Sequence, residues 1–73
     1  MTKQLRYEIG RTIRRVREEA GHTQESFADA IKVHRNYMGS VERGETNITL
    51  DRLEQIANGL DLTVAELLQL TEK

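Results

Sequence analysis

The sequence predicts an all-α fold of five helices, with a helix-turn-helix formed by the second and third, and three observations predict it. Apolar residues recur at spacings of three and four along the chain, the period of a helix face and not of a strand. Proline is absent from all 73 residues, so no ring interrupts those stretches. Thr23, Thr49 and Thr63 each stand immediately before an apolar-periodic stretch, where a hydroxyl accepts from an orphan N–H at a helix start.

Each element follows from its own residues. Leu5, Ile9, Ile13, Val16 and Ala20 make one stripe of a first helix that Gly21 ends. The second helix begins at Gln24, carries Phe27, Ala28 and Ile31 inward and ends near Lys32, where Val33 turns the chain. The third runs from about Arg35 to Arg43 behind His34 as its cap, buries Met38 and Val41, and stops at Gly44. Thr49 opens a fourth helix whose buried stripe is Leu50, Leu53, Ile56, Ala57 and Leu60, closed around Gly59. Thr63-Val64-Ala65-Glu66 is a capping-box pattern for a fifth, carrying Val64, Leu67, Leu68 and Leu70. No linker or internal repeat divides residues 1–73, which are read as a single domain.

Composition narrows the class. A chain of this size buries only about 60% of its unfolded surface, so a partner subunit that covers more apolar area stabilises it. The first four helices supply enough apolar residues to close a core around Phe27. Leu60, Val64, Leu67 and Leu68 are therefore expected at a homodimer interface, the alternative being that Leu67 and Leu68 cap the monomer core. With no cysteine there is neither a disulfide framework nor a thiolate metal site, and the expected compartment is the cytoplasm. Apolar runs never exceed two residues, against the roughly 20 a membrane helix needs.

The net charge of −1 is unevenly placed: residues 1–44 carry nine Lys and Arg against six Asp and Glu, and residues 45–73 carry two against six. A basic first half can dock on phosphate while the acidic half points away. That half contains the third helix, where Met38 and Val41 face the core and leave Arg35, Asn36, Gly39, Ser40 and Arg43 on the other side. Short polar side chains on a bare helix face suit the edges of base pairs. Arg35 is placed to take guanine O6 and N7 together, Asn36 to read adenine, and Ser40 to reach a further base or a phosphate.

The stretch TQESFADAIKVHRNYMGSVERG, with its Thr23-Gln24 start, Ala28 and Val41-Glu42-Arg43-Gly44 ending, resembles the helix-turn-helix domains of lambda-type phage repressors and Cro. The later Asn47 to Leu53 run and the Asn58-Gly59-Leu60 step extend the resemblance over roughly residues 9–70. Within the family, HRNYMGSVERGETNITL looks most like the controller proteins of restriction-modification systems. The resemblance implies a five-helix lambda-repressor-like domain. It also implies base contacts at Arg35, Asn36 and Ser40, and phosphate contacts at Gln24, Arg43, Asn47 and Thr49. Tyr37 is shared between a packed ring and a hydroxyl that reaches a phosphate. Arg17 and Glu42 match positions that often pair in the family, as a structural ion pair that locks the recognition helix. Lys32 stands where many relatives have glycine, since positive φ strains any other residue.

An enzyme is not expected. His22 and His34 have no ligand cluster beside them, no glycine loop cradles phosphate, and no nucleophile has a paired base; no metal, cofactor or small-molecule substrate is implied. The reading is a homodimeric, sequence-specific regulator of transcription on double-stranded DNA with a palindromic operator. Its rival is an antitoxin-like protein-interaction module on the same helical frame.

Overall fold

In the computed structural model, which describes residues 1–71, the helices are α1 (Lys3–Glu19), α2 (Gln24–Ile31), α3 (Arg35–Glu42), α4 (Leu50–Gly59) and α5 (Val64–Thr71). Four begin under a threonine hydroxyl: Thr2 accepts from Leu5 N, Thr23 from Ser26 N, Thr49 from Arg52 N and Thr63 from Glu66 N, at 3.0 to 3.2 Å. α3 begins under a ring, the His34 Nδ1 accepting from Asn36 N at 3.0 Å. Thr23 and Thr63 also complete capping boxes, with Ser26 and Glu66 returning to the cap backbone at 3.0 and 2.8 Å.

Four helix ends close by one device. The chain turns left-handed at Gly21, Lys32, Gly44 and Asp61, with φ of 84°, 63°, 74° and 61°. The next residue's N–H then reaches back to a carbonyl five positions earlier: His22 to Arg17, Val33 to Ala28, Glu45 to Ser40 and Leu62 to Ala57, at 2.9 to 3.1 Å. Two of these turns use glycine and two do not. Gly59 was expected to close α4, yet it lies inside that helix and Asp61 makes the turn. Gly59 serves packing instead, because a Cβ there would meet Ile31 Cγ2 at 2.5 Å and the Phe27 ring at 3.1 Å.

The core gathers Ile9 and Ile13 of α1, Phe27 and Ala28 of α2, Met38 and Val41 of α3, Leu53, Ile56 and Ala57 of α4, and Leu67 of α5. Leu60, and Ile48 from the loop before α4, complete it. Three expected core positions are outside, one of them Ala20, exposed at the C-cap of α1. Leu50, the first residue of α4, is 77% exposed, while Ile48 of the preceding loop is buried in the core; Leu5 stands at the rim beside Leu68 of α5. Two expected interface positions are inside: Leu60 and Leu67 pack within the monomer, so neither offers surface to a second subunit. Val64 is half-buried, Leu68 is exposed beside Leu5, and Leu70 is exposed over a separate groove with Tyr7 and Arg15. α1 and α5 are also joined through a buried hydroxyl pair, Thr71 Oγ1 donating to Thr12 Oγ1 at 3.1 Å.

Candidate nucleic-acid interface

α3 is set by what lies behind it. Gly10 of α1 faces the end of α3 so closely that a Cβ would stand 2.5 Å from the Val41 carbonyl oxygen and 2.6 Å from that of Glu42. Only a residue without a side chain permits the two backbones to approach this far. Beside that crossing the Arg17 guanidinium grips Glu42 with two bonds, Nε to Oε2 at 2.6 Å and Nη2 to Oε1 at 3.0 Å. Both residues are buried, at 5% and 6% exposure. Arg17 Nη1 donates to the His22 carbonyl at 2.7 Å and Gln24 Nε2 to Glu42 Oε1 at 2.9 Å, so the carboxylate and guanidinium bind α1, α2 and α3 together. The hydrogen bonds that Arg17 donates to Glu42 hold its pKa above the ordinary value, with burial opposing them. Gly44 ends the same surface against Tyr7, whose Cα would lie 2.7 Å from any Cβ at that position.

The outer side carries the residues singled out from the sequence, though not all in the roles expected. Arg35 and Asn36 are exposed at the start of α3; among the described residues Arg35 makes only a long contact of 3.9 Å with Glu25 across the turn. Ser40 is half-buried, and its hydroxyl donates to the Tyr37 carbonyl at 2.9 Å and accepts from Thr46 at 2.8 Å, which ties the loop after α3 to the helix. Gly39 is buried beneath the side chains of Arg43 and Gln24, where an open patch was expected.

Around this strip lie the other candidates. Gln24 is half-buried by its bond to Glu42, and the N–H groups that begin α2 lie beside it. Tyr37 packs against the core with the Arg52 guanidinium 5.5 Å from its ring centroid, and burial raises its phenol pKa while the Arg52 charge opposes the shift. Asn47 and Thr49 are exposed on the far side of the α3–α4 loop. Arg43 is exposed and bonded to Glu45. A groove between α1 and the end of α3 is lined by Arg11, Arg14, Arg15 and Arg43 with Glu18 and Glu42 among them, which gathers four of the nine cations of the first half on one side. Gly10, Glu45 and Thr46 were not singled out from the sequence; a glycine inside an otherwise unbroken helical stripe was the signal for the first.

Comparison with known proteins agrees with this geometry. A family model described as helix-turn-helix matches residues 13–67. The chain is 37% identical over 70 residues to the control protein C.MunI of Mycoplasma sp, covering 94% of this chain and 95% of that one. It is 33% identical over 72 residues to the control protein C.BamHI of Bacillus amyloliquefaciens, covering 97% and 89%. Among solved structures it matches the restriction-modification controller protein C.AhdI from Aeromonas hydrophila with a TM-score of 0.81 at 34% identity, over 85% of this chain and 94% of that one. It matches the controller protein C.Esp1396I, solved as a tetramer on its natural 35 base-pair operator, with a TM-score of 0.83 at 30% identity, over 92% and 88%.

Proposed function

Because this chain belongs to the helix-turn-helix family, we propose that it is a sequence-specific DNA-binding regulator of transcription, of the kind that controls restriction-modification genes. The observation that carries the reading is the two-sidedness of α3: its inner side is locked by Gly10 and the buried Arg17–Glu42 pair, while Arg35 and Asn36 stand bare on the outer side. A helix held this way enters a major groove with its base-reading residues prearranged. Arg35 and Asn36 read base edges; the α2 start at Gln24, the Tyr37 hydroxyl, and Asn47 and Thr49 across the loop hold the backbone on either side. Ser40 shapes the loop that presents Asn47.

The regulator acts as a homodimer through the α1–α5 edge, where Leu5 and Leu68 line one groove and Leu70 adds exposed apolar surface on α5. The 1–73 chain is one such unit, α5 being the arm that pairs. No helix among the described residues is long and apolar enough to cross a membrane, which accords with a cytoplasmic regulator. The named relatives are control proteins.

Selection from a random duplex library tests this directly. A palindrome is expected, with half-sites centred roughly 10 base pairs apart, bound with an affinity that falls steeply as salt rises. Absence of any enriched sequence or of salt-dependent retardation would leave a protein-interaction module as the better reading.

A further inference from the structure

Arg43 does not stand where a residue gripping the groove wall would stand. It is the last residue of the α3 region, yet its side chain runs back along the helix, and its Nη1 lies 3.1 Å from the point a Cβ would occupy on Gly39, one turn earlier. Gln24 Oε1 lies 3.5 Å from the same point. At the other end of the guanidinium, Nε donates to Glu45 Oε2 at 3.0 Å. The head group therefore lies over the middle of the recognition helix, in the row that begins with Asn36, and Ser40 is not a competitor for that place because its hydroxyl is bound to Tyr37 and Thr46.

Both supports have a chemical meaning. An arginine has two edges that can make paired hydrogen bonds, and a carboxylate on Nε leaves the Nη1/Nη2 edge free, the edge that matches O6 and N7 of guanine. The Arg43–Glu45 pair is too exposed, at 60% and 57%, to contribute much to stability. It restricts where a long side chain points, and so lowers the entropy lost on binding. Glycine at position 39 costs the helix roughly 1 kcal/mol relative to alanine, a cost that makes sense where a Cβ would press on Nη1 and shift the guanidinium by a few tenths of an ångström from its seat.

We propose that Gly39 and Glu45 seat Arg43 as a second base reader, which recognises a guanine in each half-site about one helical turn along α3 from the base pair read by Asn36. The inference rests on the DNA-binding reading above and deepens it.

The test is library selection followed by competition binding for the wild type, Arg43→Lys, Glu45→Gln and Gly39→Ala, with thermal melts to confirm folding. Arg43→Lys keeps the charge and loses the bidentate edge, so discrimination should fall about ten- to hundredfold at one guanine per half-site and nowhere else. Glu45→Gln removes a negative charge from the interface, which would strengthen any phosphate contact, yet it should weaken preference at that same base pair. Gly39→Ala should melt higher and lose the same preference. Unchanged preference at every position, or a change in affinity uniform across all sequences, overturns the assignment and returns Arg43 to the phosphate wall. A wild type that selects no sequence overturns the DNA-binding reading itself, an outcome distinct from a selective protein indifferent to Arg43.

Discussion

Where α3 meets α1 the two backbones touch through Gly10 and a guanidinium and carboxylate are sealed between them; on its other side the charged pairs of Arg35 with Glu25 and Arg43 with Glu45 are more than half exposed. The contrast separates two tasks. The inner contacts tolerate almost no displacement, because their atoms are at or near contact distance and their charges have no water to turn to. Each outer pair adds about 0 to 1 kcal/mol at most, so outer residues can change without unfolding the domain. One side fixes the angle of the helix and the other is left free to carry its sequence preference.

The inner side is broken most severely by Gly10→Ala. The new methyl has to displace two carbonyl oxygens of α3, both backbone, and no side-chain rotation relieves it. A loss of about 3 kcal/mol or more is expected, a large share of the stability of so small a domain, read as a collapse of the urea midpoint. A midpoint close to the wild type's would mean that α1 and α3 are not pressed together as described.

Glu42→Gln should come next, at about 3 kcal/mol, because Arg17 is left buried with its charge unanswered. The loss should be equal at low and high salt, unlike that of a surface pair. Replacing both partners, as Arg17→Met with Glu42→Leu, should recover most of the stability while DNA affinity stays low, since the packed apolar pair no longer bonds Gln24 or the His22 carbonyl. If the double variant is no more stable than Glu42→Gln, the ion pair is a packing element and not a charge trap.

Arg35→Ala should do the reverse: an unchanged melt and binding weaker by roughly 1 to 3 kcal/mol, with preference relaxed at one base pair. Any loss of stability from it would blur the division between the two sides.

The parts of this division were unequally legible in the sequence. Helix starts were, because Thr23, Thr49 and Thr63 act within three residues of themselves and local chemistry decides them. So was the outer position of Arg35 and Asn36, which follows from the period set by Met38 and Val41. The inner side depends on which residues meet across 25 positions of chain, as Arg17 and Glu42 do, and only resemblance to a family suggested that pairing. Gly10 and Gly59 are the same problem in backbone form, since a glycine's reason lies on the partner helix. Leu50 and Leu67 show its limit for periodicity: both fall on an apolar stripe, yet the first is exposed and the second is fully buried. Ser40 has the spacing of a base contact, but Thr46, in a loop without period, takes its hydroxyl.

The smallest effect sharpens the comparison at the two ends of the helix-turn-helix. Lys32 and Gly44 share a left-handed conformation, with φ of 63° and 74°, and the same closing hydrogen bond from the following residue. They differ in neighbours, for Lys32 is exposed whereas any Cβ at Gly44 would meet the Tyr7 backbone. Lys32→Gly should therefore stabilise by up to about 1 kcal/mol, the relief of left-handed strain exceeding the added freedom of the unfolded chain. Gly44→Ala should destabilise by more than that, because strain and collision act together. A lower melting temperature for Lys32→Gly would mean that the lysine stem contributes packing at the turn that outweighs its backbone strain, and the turn between α2 and α3 would then be a held joint like the α1–α3 crossing.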